Sequence, residues 1–158
     1  MKLTRPYRAP RWLRNPHLQS ALSSLPMRRA GGLRALLEFF KHLPADTGMA
    51  FVVVQHLDPT HASKLVEILA RESSIPVTEA ADGVTLSPDH VHIIAPNTVL
   101  KLEGEVLRVT PRDVSVQPAF SIDAFFHSLS DNHPDRSIGV VLSGSGSDGS
   151  NGLMAIKE

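Results

Sequence analysis

Residues 49–56 read MAFVVVQH, a short apolar run rich in β-branched side chains that ends in two polar residues. Continuous rather than alternating hydrophobicity suits a strand covered on both faces, as in a parallel sheet. Before it, residues 33–43 place Leu33, Leu36, Leu37, Phe40 and Leu43 at intervals of three and four, the spacing of one helix face, and Pro44 stops that helix. After it, Leu57-Asp58-Pro59-Thr60 reads as a turn. A second helix is predicted over residues 60–71, with Leu65, Val66, Ile68 and Leu69 on its apolar side and Thr60 or Ser63 as its cap.

Downstream, residues 75–78 and 91–96 are shorter strand candidates, separated by the turn signals Asp82-Gly83 and Ser87-Pro88-Asp89. Residues 99–103 and 106–110 alternate across Gly104-Glu105 and predict a hairpin. A helix over residues 121–130 opens with a cap-like Ser121 and carries Ile122, Phe125, Phe126 and Leu129. It leads to a strand at 138–142, a Gly/Ser loop over 143–152 and a helix beginning at Leu153. Helices alternating with apolar strands give an α/β fold: a three-layer, doubly wound, mostly parallel sheet with one inserted antiparallel hairpin. Such sheets carry their sites at the carboxyl ends of strands.

The chain of 158 residues suits one core, and no run of about 18 apolar residues would span a membrane. The first residues, MKLTRPYRAP, lack the apolar stretch of a secretory signal, so a cytoplasmic protein without membrane insertion is expected. Without cysteine there is neither a disulfide nor a thiolate nucleophile. Charge divides the sequence: residues 1–34 hold eight basic and no acidic side chains, leaving a balance of −8 in the rest. That arm reads as a solvated tail in preference to a nucleic-acid contact.

Three loops compete for chemistry. His56, at the end of the most apolar strand, could serve as a general base near neutral pH, although a lone His there is more often structural. Asp148, in SGSGSDG at residues 143–149, lies on a loop that could orient an imidazole or cradle a phosphate. No Lys-Ser or Lys-Thr follows its glycines, as a Walker loop would require. Together they make two thirds of a hydrolytic triad. The third loop holds Arg29-Ala30-Gly31-Gly32, and a guanidinium is no nucleophile. Ser20, Ser23 and Ser24 lie several residues away without an elbow-like motif. His90 and His92 lack a carboxylate cluster and read as surface or packing residues, not metal ligands.

The segments AGGLRALLEFFKHLP, MAFVVVQHLDPTHASKLVEILAR, DHVHIIAPN, IDAFFHSLS and IGVVLSGSGSDGSNGLMAIKE, spread over residues 30–158, resemble the catalytic domain of CheB-type protein-glutamate methylesterases of bacterial chemotaxis. The wording around His56 is most similar to the branch in which this domain precedes a receptor methyltransferase in a larger protein. The resemblance implies hydrolysis of glutamate methyl esters on the cytoplasmic domains of chemoreceptors, releasing methanol, with a fused or associated methyltransferase as a second partner. It implies no metal and no cofactor. Residue by residue, the family's catalytic His falls on His56 and its Asp on Asp148. The nucleophilic Ser of the Gly-x-Ser-x-Gly-Gly turn falls on Arg29, and the strand preceding that turn is replaced by Leu25-Pro26-Met27-Arg28. Receptor demethylation is therefore expected to be impaired, and a non-catalytic receptor-binding or scaffolding remnant is the alternative. Residues 5–20 resemble instead the entry segment of an unrelated α/β-hydrolase family. This suggests a basic arm at residues 1–29 foreign to a partial methylesterase domain at 30–158, incomplete at both ends.

Overall fold

The computed structural model describes residues 32–55, 64–113, 115, 120–142 and 147–157. Helix α1 (Gly32–Lys41) turns back through Leu43 into strand β1 (Ala50–Val53), and α2 (Leu65–Glu72) leads to β2 (Val77–Glu79) and β3 (His90–Ile93). The three strands pair in parallel in the order β1-β3-β2. A separate antiparallel hairpin follows, β4 (Thr98–Glu103) and β5 (Val106–Pro111), and then the adjoining helices α3 (Ser121–Asn132) and α4 (Ser150–Lys157).

Strand alternation sends side chains to two cores. Val91, Ile93, Phe51, Val53 and Val77 pack with Phe39, Phe40, Leu43, Leu65 and Leu69 under α1 and α2. The three phenylalanines Phe39, Phe40 and Phe51 meet edge to face at 5.1–6.3 Å. On the other side Val52, Val54 and Ile94 pack with Leu100, Leu102, Leu107, Phe125 and Phe126. The sheet is thus a middle layer, in agreement with the α/β expectation.

Register is pinned at the strand starts. Asp89 adopts φ 56°, and its Oδ1 accepts from Thr47 Oγ1 and Gly48 N at 2.8 Å each, while its own N–H donates to Met49 O. A short polar side chain at a left-handed position thereby ties the approach to β1 to the approach to β3.

The hairpin forms across Gly104 (φ 60°), as its sequence predicts. Three expectations are corrected. Residues 138–142 pair with no strand among the described residues, because a cavity lies between them and β1 where a ladder partner would run. Helix α4 starts at Ser150, not Leu153: its Gly152 N–H is taken by the buried carboxylate of Asp123, a partner 29 residues away. Ser121 is the first helical residue of α3 and not its cap, since Phe120 holds the cap position with no side-chain bond. The second helix is described from Leu65, and Thr60 and Ser63 lie outside the described residues.

Candidate functional site

A helix N-terminus leaves its first amide N–H groups without intrahelical partners. In α3 these are met by Asp148, whose Oδ1 and Oδ2 accept from Asp123 N at 2.9 Å and Ile122 N at 3.1 Å. A carboxylate suits the positive end of the helix dipole. The arrangement is reciprocal: Asp123, in the first turn of α3 and 6% exposed, accepts from Gly152 N at 2.7 Å in the first turn of α4. Two acidic side chains thus lock two helix starts together.

Glycine is required at this corner. Gly149 has φ 92°, and a Cβ there would stand 2.9 Å from Ile122 Cγ2. At Gly152 a Cβ would stand 2.5 Å from Phe126 Cβ and 3.0 Å from Asp123 O. The close approach of α4 to α3 is what presents Asp148 to the α3 amides.

A small polar recess of about 20 Å³ opens beside this corner, lined by Gln55 after β1, Asn97 and Thr98 after β3, Arg112 after β5, and Ser121. Asn97 has φ 54°, and Thr98 Oγ1 donates to Ala95 O at 2.7 Å. Arg112 Nε is buried without a hydrogen-bond partner among the described residues.

Of the three site residues read from the sequence, Asp148 is placed by these contacts, whereas His56 and Arg29 lie outside the described residues. Gln55, the residue before His56, shares the recess with Ser121, one residue from an amide that Asp148 binds. The carboxyl end of β1 and the Asp148 turn therefore converge on the start of α3. Sequence reading missed Asp123 and Arg112. An acidic residue in a first helical turn and an Arg after a strand both read as solvated, and only tertiary packing shows otherwise.

His90 and His92 stack with ring centroids 4.6 Å apart and planes 13° from parallel. His92 is 3% exposed with its Nε2 unpartnered, and burial first, then neighbouring His90, push its imidazole below the ordinary value. Among the described residues no group of three His, Asp or Glu could hold a metal ion.

The sequence model of the CheB methylesterase family matches residues 29–158. A protein-glutamate methylesterase/protein-glutamine glutaminase of Pseudomonas aeruginosa is 37% identical over 132 residues, covering 82% of this chain and 39% of the relative. One of Burkholderia lata is 38% identical over 129 residues, covering 81% and 38%. An uncharacterized 104.1 kDa protein of Rhodobacter capsulatus is 41% identical over 92 residues, 58% of this chain and 10% of that protein. The chain thus spans about two fifths of the length of the two methylesterases. In structure it is similar to the Thermotoga maritima CheB methylesterase catalytic domain, with a TM-score of 0.68 and 29% identity, covering 80% of this chain and 69% of that one. With a family match over most of its length and the matching α/β fold, the chain belongs to the CheB methylesterase family.

Proposed function

We propose that the chain is the catalytic domain of a chemoreceptor methylesterase whose hydrolysis is impaired at the nucleophile. The observation that carries this reading is the convergence of the β1 end with Asp148 at the amides of α3, joined to the family match over residues 29–158. In this reading His56 is the general base and Asp148 orients its imidazole and stabilises the imidazolium. A water, or a hydroxyl whose acyl-enzyme a water then hydrolyses to free the glutamate, loses its proton to His56 and attacks the glutamyl ester carbonyl. The acyl C–O bond then breaks, and methanol leaves with the proton from the imidazolium. The names of the relatives add a glutaminase reaction, in which ammonia leaves a glutamine side chain in the same way.

Arg29 stands where the family's nucleophilic Ser is expected. It supplies no nucleophile, and in this reading a cation set beside His56 would disfavour the imidazolium that the reaction must form. Loss of one triad member lowers the rate by about 10³-fold or more. The substrate is the methylated cytoplasmic part of a chemoreceptor, which places the protein in the cytoplasm. The match to 10% of a 104.1 kDa protein is in keeping with such a domain standing within a larger chain, and a receptor methyltransferase as the companion domain rests on the resemblance around His56 alone.

The test is methanol release from methylated receptor by the chain, Arg29→Ser and His56→Ala, after circular dichroism confirms that each is folded. Arg29→Ser is expected to gain about 10³-fold or more and the parent to sit near background. A parent that turns over fully, with loss in His56→Ala, overturns the assignment of a missing nucleophile. Folded but inactive parent and Arg29→Ser proteins that still bind receptor overturn the esterase reading in favour of a binding remnant.

A further inference from the structure

Strand β3 ends at Ile93 and β4 begins at Thr98, so the base of the hairpin is rooted at the carboxyl end of the parallel sheet. Thr98 pairs with Pro111, and Arg112 N donates to Asn97 O at 2.8 Å, which fixes the backbone of Arg112 there. Arg112 lines the polar recess that Gln55 and Ser121 share. Its Nε is buried without a partner, and among the described residues the guanidinium makes neither a hydrogen bond nor an ion pair. The two outer nitrogens are not buried with it, and the residue as a whole is partly exposed. A buried donor of a charged group costs free energy until an acceptor meets it.

The surroundings favour an anion as that acceptor. The other polar side chains of the recess, Gln55, Asn97, Thr98 and Ser121, are uncharged, and no Asp or Glu lines it among the described residues. Asp123 and Asp148 turn their carboxylates to backbone amides at the adjoining corner. Ser121 opens α3, so the positive end of that helix adjoins the recess. About 20 Å³ holds one atom of the size of a water oxygen, so a ligand enters by a single atom. Nε–H and its neighbouring Nη–H form a parallel pair that matches the two oxygens of a carboxylate, one inside the recess and one at its mouth.

We propose that Arg112 is a specificity-determining residue that binds a carboxylate on the receptor segment carrying the glutamyl ester, so that the chain selects esters set among free acidic side chains. The identity of that segment rests on the methylesterase reading. Gln55 precedes His56, and Ser121 is one residue from an amide that Asp148 binds, so an anion held in the recess belongs to whatever lies across the proposed catalytic pair. A segment bearing glutamyl esters supplies carboxylates of its own wherever a glutamate is unesterified.

The test is fluorescence anisotropy with labelled peptides in which the ester is replaced by its ethyl-ketone isostere, which has no C–O bond to break, flanked by glutamates, glutamines or lysines. The full chain is expected to bind the glutamate-flanked peptide about 10-fold more tightly than the glutamine-flanked one, and the lysine-flanked one most weakly. Arg112→Gln is expected to bring the first two level by weakening the glutamate-flanked peptide alone, and Arg112→Glu to favour lysine. Equal affinities in the parent mean that the recess holds only water and overturn the proposal, as does the absence of binding by any peptide. A preference that survives Arg112→Gln assigns it to other basic residues, such as the eight in residues 1–34, and overturns the proposal too. Should Arg112→Gln fail to fold by circular dichroism, Arg112→Lys keeps the cation without the fork: a smaller preference supports the site and an undiminished one refutes it. Failure of the esterase reading shows separately, as absent methanol release from Arg29→Ser with Arg112 intact.

Discussion

The hairpin and strand β1 are both pieces of sheet, yet they treat their edges differently. On the β4 side, Leu102 N donates to Ser128 Oγ, Leu102 O accepts from Asn132 Nδ2, and Gly104 N donates to Asn132 Oδ1, all from α3. On the β5 side, Leu107 bonds with Val84 and Gly83, and Val109 N donates to Asp82 Oδ1. Side chains and a loop close both edges. Among the described residues strand β1 pairs only with β3, and its outer edge meets a cavity. Backbone groups left in an apolar surround cost free energy, so the hairpin meets that cost with described partners on both edges, whereas the outer edge of β1 has none among the described residues.

The sharpest test of that contrast is a pair of truncations. Leu107 is 0% exposed, and Leu107→Ala is expected to destabilise by about 3 kcal/mol in chemical denaturation. Val141, 49% exposed on the cavity wall, is expected to lose no more than about 0.5 kcal/mol as Val141→Ala. A cost at Val141 approaching that at Leu107 would mean that the cavity is filled and would break the contrast between the two edges.

Next in size is Gly152→Ala. The added methyl would stand 2.5 Å from Phe126 Cβ and 3.0 Å from the backbone of Asp123, and backbone cannot swing aside. A loss of about 2 kcal/mol is expected, with α3 and α4 pushed apart. Because that separation carries Asp148 away from the α3 amides, methanol release by an Arg29→Ser background should fall with it. Unchanged stability would show that the helix pair is looser than its contacts imply. Asn132→Ala, which strips β4 of two edge bonds, should cost about 1–2 kcal/mol; no loss would erase the distinction between the closed and open edges.

How far the sequence reaches follows the same division. The strand read within residues 49–56 and the hairpin turn at Gly104 are local patterns found where they are expected, as Ala50–Val53 and as the β4–β5 turn, whereas the face of α1 is shifted: Leu36, Phe40 and Leu43 are buried as expected, but Leu33 is exposed and Ala35 and Phe39 are buried in addition. Asp148 is legible as a candidate because Gly and Ser surround it. Its actual partners, the amides of Ile122 and Asp123, are 26 and 25 residues away, beyond any local rule. The same distance hid Asp123 as the cap of α4. Residues 138–142 show the opposite error: their composition is that of a strand, but a strand is defined by a neighbour, and composition cannot supply one.

His92 offers the smallest effect and a pH dependence with a definite sign. It lies beside Val52 in the β1–β3 register, 3% exposed, with His90 stacked on it and Nε2 unpartnered. Burial, and then the neighbouring imidazole, hold its pKa below the ordinary 6.5. The unfolded chain therefore takes up this proton at a higher pH than the folded one. Stability should be level for this group above 6.5 and decline as pH falls below it, flattening once the folded form is also protonated. Comparing the melting temperature of the parent and His92→Leu across that range isolates the term from the other seven histidines. The variant is expected to lose part of the acid-side decline. If the two curves stay parallel, His92 is protonated as easily folded as unfolded, which requires water to reach its imidazole. That outcome would show that the face of β3 turned toward the hairpin core is not shielded from water.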